Sequence, residues 1–138
     1  MIRKILTLFI IYFIASSTWA TENNSIVNWQ KWSPKVFEQA RREERLVLLD
    51  LTAEWCQFCR KMDETSYRDP QVINIIRQYY IPVRADSNSR YENDPRPTTV
   101  IFDGNGIEII KRQGYLRPQW LLWLLEAVAQ NPSPEAHR

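Results

Sequence analysis

The chain has 138 residues, with 18 basic and 16 acidic side chains, a length that fits one domain. Arg3 and Lys4 account for the whole positive excess; without them 16 basic residues face 16 acidic ones. That balance leaves no basic stripe for nucleic acid, and two cysteines are too few for a disulfide framework.

The basic start at Arg3 and Lys4 leads into an apolar run, residues 5–14, too short to span a bilayer comfortably as a helix. Small residues follow, with Thr18 and Ala20 placed as in a cleavage site. Residues 1–20 therefore read as a secretory signal peptide cut after Ala20, leaving 118 residues. The alternative is an uncleaved membrane anchor, the one case in which the chain would contact a membrane. Either way the expected location is periplasmic or otherwise exported, where disulfides persist.

Residues 21–28 form a polar, flexible lead-in, and the expected domain is 29–130. Ser33-Pro34 reads as an N-cap and first helical position, opening a helix over 34–44. The run Leu46-Val47-Leu48-Leu49-Asp50-Leu51 suits a strand buried on both faces. Its one carboxylate must be paired, hydrogen-bonded or kept protonated. A helix runs on from the cysteines to about Ser66, with Met62 in the core, and Asp69-Pro70 opens another. Residues 81–85 and 98–102 read as strands, with a polar, turn-rich stretch between them. Asp103-Gly104-Asn105-Gly106 connects to a returning strand, 107–111. The last helix spans 119–129, with Trp120, Leu121, Leu124 and Leu125 inward, and a disordered tail fills 131–138. This order implies an α/β domain, a sheet covered by helices on both faces.

Both cysteines lie in Trp55-Cys56-Gln57-Phe58-Cys59, so any internal bridge is Cys56–Cys59. A strand ending before Cys56 and a helix starting at it put the first thiol where backbone N–H groups favour the thiolate. Cys59 sits nearly one turn on and is expected to be better shielded. Cys56 would attack and Cys59 would resolve the mixed disulfide. A buried structural pair or a metal clamp remain open on spacing alone.

Residues 47–61, with Asp50 followed by Ala53-Glu54-Trp55-Cys56-Gln57-Phe58-Cys59, resemble the active-site strand and helix of thioredoxins. Arg96-Pro97-Thr98 resembles the cis-proline segment of that family, and Gly104, Gly106 and Gly114 match its hairpin and the glycine before its last helix. The chain is similar to the exported thioredoxin-like group that includes the C-terminal domain of the transmembrane disulfide reductase of the Dsb system, and residues 62–72 also resemble thioredoxin-like domains of the DUF255 type. The resemblance implies a thioredoxin-like fold, a central mixed β-sheet flanked by helices on both faces. It implies Asp50 as a buried base for Cys59, with a carboxyl raised by desolvation. It also implies a cis Pro97 facing the cysteines and a substrate surface of Trp55, Phe58, Arg96, Pro97 and Thr98. Trp55 would pack beside Cys56, and Glu54 would be a solvated charge. Arg96 stands where family members carry a smaller or apolar residue. It would either lower the thiolate pKa and favour acidic substrates, or be an exposed loop arginine.

The expected function is an extracytoplasmic thiol–disulfide oxidoreductase that reduces protein disulfides through a Cys56/Cys59 cycle, acting as a monomer without cofactor or metal. Its partners would be protein disulfide or dithiol substrates and a membrane electron donor or acceptor. The alternatives are a soft-metal (copper) carrier using the cysteine pair, with little help from the lone His137, and a non-catalytic binding module.

Overall fold

The computed structural model describes residues 26–138. The signal-peptide reading of residues 1–20 and most of the lead-in lie outside the described residues. Among those described, no helix is long and apolar enough to cross a membrane.

The chain enters through a short edge strand, β1 (Gln30–Lys31), which the sequence did not announce. Helix α1 (Val36–Glu43) follows. It starts two residues later than expected, because Ser33 closes a preceding turn instead: its carbonyl accepts the Val36 N–H at 3.0 Å and its Oγ accepts that of Lys35 at 3.3 Å. β2 (Leu46–Leu51) leads to α2 (Gln57–Glu64). A 3-10 turn at Ser66–Arg68 joins it to α3 (Pro70–Tyr79), whose N-cap Asp69 accepts the N–H groups of Gln71 and Val72. β3 (Tyr80–Ala85) follows directly. The polar stretch after it holds a 3-10 turn at Ser89–Tyr91 and delivers the chain to β4 (Thr98–Phe102). The Asp103 carboxylate closes the hairpin by accepting the N–H groups of Asn105 and Ile107, with Gly106 at φ +78°. β5 (Glu108–Gln113) and α4 (Pro118–Gln130) complete the domain.

The sheet order is β1-β3-β2-β4-β5. β2 lies parallel to β3 and antiparallel to β4, so the sheet is mixed. Strand alternation sends Val47, Leu49 and Leu51 to one face, against Val36 and Ala40 of α1 and against Tyr91. Leu48 goes to the other, under Met62 of α2, Val72 and Ile76 of α3 and Leu121 and Leu125 of α4. Helices thus cover both faces, as expected.

Two expectations fail at the C-terminal end. Trp120 is 50% exposed rather than inward. The inward stripe of α4 is Leu121, Leu122, Leu125 and Val128, and Trp120 falls outside it, beneath the Arg117 guanidinium at 4.3 Å. The tail is not disordered: residues 134–137 form a 3-10 turn against β5, and His137 contacts the Asn131 carbonyl.

Candidate active site

β2 points into the loop that carries Cys56. This residue is the N-cap of α2, with extended backbone, and its Sγ accepts the Cys59 N–H at 3.1 Å. The two cysteines form a disulfide across a Cα–Cα distance of 5.2 Å. In the reduced state the same N–H and the helix start would favour negative charge on Cys56. Shielding does not separate the pair as expected: Cys56 is 3% and Cys59 4% exposed. Position on the helix distinguishes them, one at its cap and one a turn inside.

Asp50 shares its sheet face with Leu48, the face that α2 covers. Its cross-strand neighbours in register are Arg84 on β3 and Thr99 on β4. Burial pushes the Asp50 carboxyl from an ordinary 3.8 up to about 6. Arg84 opposes that rise without cancelling it, and Asp63 adds to it. Arg84 Nε and Nη2 both reach Asp50 Oδ2 at 2.9 Å, and Nη2 also reaches Asp63 Oδ1 at 2.5 Å. Burial alone would lower the Arg84 pKa; the Asp50 and Asp63 carboxylates more than reverse this. Cys59 and Asp63 lie four residues apart on one helix face. The guanidinium therefore ties the face of α2 that carries Cys59 to the buried Asp50.

Two further rings line this polar row. The Arg84 guanidinium stacks over Trp29 at 4.2 Å and lies 5.8 Å from the Tyr67 ring. Tyr67 is buried, and burial, reinforced by the Asp50 charge, pushes its hydroxyl well above the ordinary range. The Thr99 hydroxyl opposes this shift, but the two hydroxyls fall short of hydrogen-bond geometry.

The Arg96–Pro97 peptide is cis. The Leu51–Thr98 pairing sets it at the end of β2, where the loop to Cys56 begins. The Pro97 carbonyl accepts the Gly114 N–H at 2.8 Å, closing this side of the site. Trp55 (76%) and Phe58 (56%) are exposed beside the buried disulfide, so Trp55 is no core residue. Phe58 sits 6.4 Å from Tyr115, whose ring carries Lys61 Nζ at 4.7 Å. Glu54 is exposed, as expected.

Two residues expected on the substrate surface are turned away. Thr98 is fully buried, and its hydroxyl donates to the Pro95 carbonyl at 2.7 Å. Arg96 folds back onto its own loop, donating to the carbonyls of Asp94 at 2.6 Å, Asp86 at 3.3 Å and Tyr91 at 3.4 Å. One guanidinium thus supplies donors for three carbonyls of the 86–97 segment. Arg84, Asp63, Tyr67 and Trp29 were not anticipated. A signal for Arg84 existed: it is the charge in the apolar run 81–85, and a buried carboxylate on the next strand needed a partner. Among the described residues no group of three or more His, Cys, Asp or Glu could hold a metal ion.

The mixed sheet, the cysteine pair at a helix cap and the cis Arg96–Pro97 peptide before β4 define a thioredoxin-like domain. The chain belongs to the DUF255 family, described as a protein of unknown function, whose Thioredox_DsbH pattern matches residues 13–102. It is 29% identical over 102 residues to the thiol:disulfide interchange protein DsbD of Campylobacter jejuni, covering 65% of this chain and 18% of that protein. Human spermatogenesis-associated protein 20 is 25% identical over 68 residues, 49% of this chain and 9% of its own length. The chain thus matches less than a fifth of either relative. Among solved structures, a thioredoxin from Thermus thermophilus superposes with a TM-score of 0.62 at 20% identity, covering 74% of this chain and 88% of its own. The C-terminal domain of DsbD from Neisseria meningitidis, in its oxidised form, gives 0.53 at 17% identity, with 66% and 88% covered.

Proposed function

We propose that this chain is an extracytoplasmic thiol–disulfide oxidoreductase that reduces protein disulfides. The observation that carries the reading is the order of the site: Cys56 caps a helix and accepts the Cys59 N–H, while Cys59 shares a helix face that Arg84 ties to the buried Asp50. The Cys56 thiolate attacks one sulfur of a substrate disulfide. A mixed disulfide forms, and the other substrate sulfur leaves as a thiolate. Cys59 then gives its proton to Asp50 and attacks Cys56 Sγ. The second substrate sulfur leaves, and the Cys56–Cys59 disulfide holds the two-electron oxidation. Another dithiol, on a membrane electron-donor protein, returns the pair to its reduced state.

Export is supported by the signal-like residues 1–20 and is checked by cell fractionation. Reduction of insulin disulfides by the reduced chain tests the chemistry. Cys56→Ser is expected to abolish turnover, and Cys59→Ser to accumulate a mixed disulfide through Cys56. Full activity in Cys56→Ser would overturn the reading, and trapping through Cys59 in its place would reverse the two roles.

A further inference from the structure

Trp29 has no place in the thiol chemistry and belongs to no helix or strand, yet it is the nearest aromatic face to Arg84. Nε and Nη2 of that guanidinium are engaged by Asp50 and Asp63, and its central carbon lies 4.2 Å from the indole ring. The indole is itself held edge-on to Tyr67, at 4.8 Å and 90°. The next two residues form β1, where Lys31 pairs in register with Arg84, so the backbone fixes Trp29 beside this side chain. Asp63 is far more exposed than Asp50. Without a cover on its open face, a flexible arginine would turn outward to Asp63 and water.

We propose that Trp29 is a positioning residue of this site: its indole holds the Arg84 guanidinium inward, in the arrangement that grips Asp50. The inference rests on the reading of Asp50 as the base for Cys59. Among the described residues the charged and titratable groups around Asp50 are Arg84 from β3, Asp63 from α2 and Tyr67 from the 3-10 turn; β4 contributes the uncharged Thr99.

The test follows the Asp50 carboxyl by carbon-13 NMR against pH, in the full oxidised chain labelled at aspartate and assigned with Asp50→Asn. Trp29→Ala is expected to raise the Asp50 midpoint by about half a pH unit, because a loosened Arg84 favours the carboxylate less. Trp29→Phe, which keeps a π face, should leave the midpoint close to the wild-type value. Trp29→Leu, which fills volume without one, should behave as Trp29→Ala and serves if the alanine variant fails to fold. In an Arg84→Gln background Trp29→Ala should move nothing further. A downward shift, from water entering beside Asp50, would overturn the proposal. So would an unchanged midpoint, or equal shifts with and without Arg84. The titration needs no turnover: a midpoint that moves as expected in a chain inactive on insulin would retire the oxidoreductase reading and leave the role of Trp29 standing.

Discussion

Replacing Asp50 with asparagine should make the protein more stable relative to wild type at alkaline pH than at acid pH. The folded chain holds the Asp50 proton up to about pH 6, whereas the ordinary value is 3.8. The folded state therefore binds more protons between those values, and stability falls as pH rises through that window. By pH 8 the ionised carboxylate costs the folded state about 3 kcal/mol relative to an ordinary aspartate. At pH 4.5 most folded molecules carry the proton, and the cost is about 1 kcal/mol. Asparagine has no proton to lose, so the difference between variant and wild type should swing by about 2 kcal/mol in favour of the variant from pH 4.5 to pH 8. Loss of the Arg84 contact shifts the absolute values, but Asp63 still engages Arg84 in both proteins. Urea unfolding of the oxidised chains at the two pH values measures the swing. Equal differences at both would show that Asp50 titrates near its ordinary value, and the claim of a desolvated base would fall.

Arg84→Gln removes the group that holds the Asp50 carboxyl down, so its midpoint should rise further above about 6, and the pH profile of mixed-disulfide resolution should move up with it. Arg96→Ala should cost about 1–2 kcal/mol and speed amide exchange across residues 86–95, while leaving the preference between acidic and basic peptide substrates unchanged. Trp55→Ala should alter stability by no more than about 0.5 kcal/mol, since the ring is exposed, yet slow insulin reduction by roughly fivefold or more. Tyr91→Phe deletes the 2.5 Å bond to Glu108 and should cost about 1 kcal/mol by urea unfolding with no change in turnover.

Local pattern made much of this fold legible. The apolar runs of β2 and β4 read as strands because both faces of a mixed sheet are buried here, and Asp69-Pro70 marked the start of α3 through elementary capping chemistry. Asp50 precedes Cys56 by six residues and Cys59 by nine on one strand–helix unit, so a local reading could join them. What escaped was nonlocal. β1 is two exposed residues with no hydrophobic pattern, and it is a strand only because β3 offers an edge. Arg84 meets Asp50 across 34 residues of sequence, through sheet register. Arg96 read either as a charge beside the thiols or as an exposed loop arginine, and the three carbonyls that claim its side chain depend on the path of the loop. Trp120 read as apolar and inward, but helix phase, set by Leu121 and Leu125, turned it to solvent.

The two faces of the sheet differ in polarity. On the α1 face β2 presents Val47, Leu49 and Leu51 to an apolar core, with no charge to satisfy. On the other face the same strand presents Leu48 and then Asp50, one position short of its end, in a row with Arg84 and Thr99. A lone carboxylate there would ionise at great cost, and a fully neutralised one would hold no proton near neutral pH. Arg84 reaches only one of the two Asp50 oxygens and divides its donors with Asp63, so it offsets burial in part. The remaining upward shift, to about 6, gives Asp50 the raised basicity that the proposed proton transfer from Cys59 calls for. Burial raises the value, the shared arginine opposes it in part, and the Asp63 charge adds to the rise. Freeing Arg84 from Asp63 should therefore lower the Asp50 midpoint, because the guanidinium then serves Asp50 alone and the second negative charge is gone.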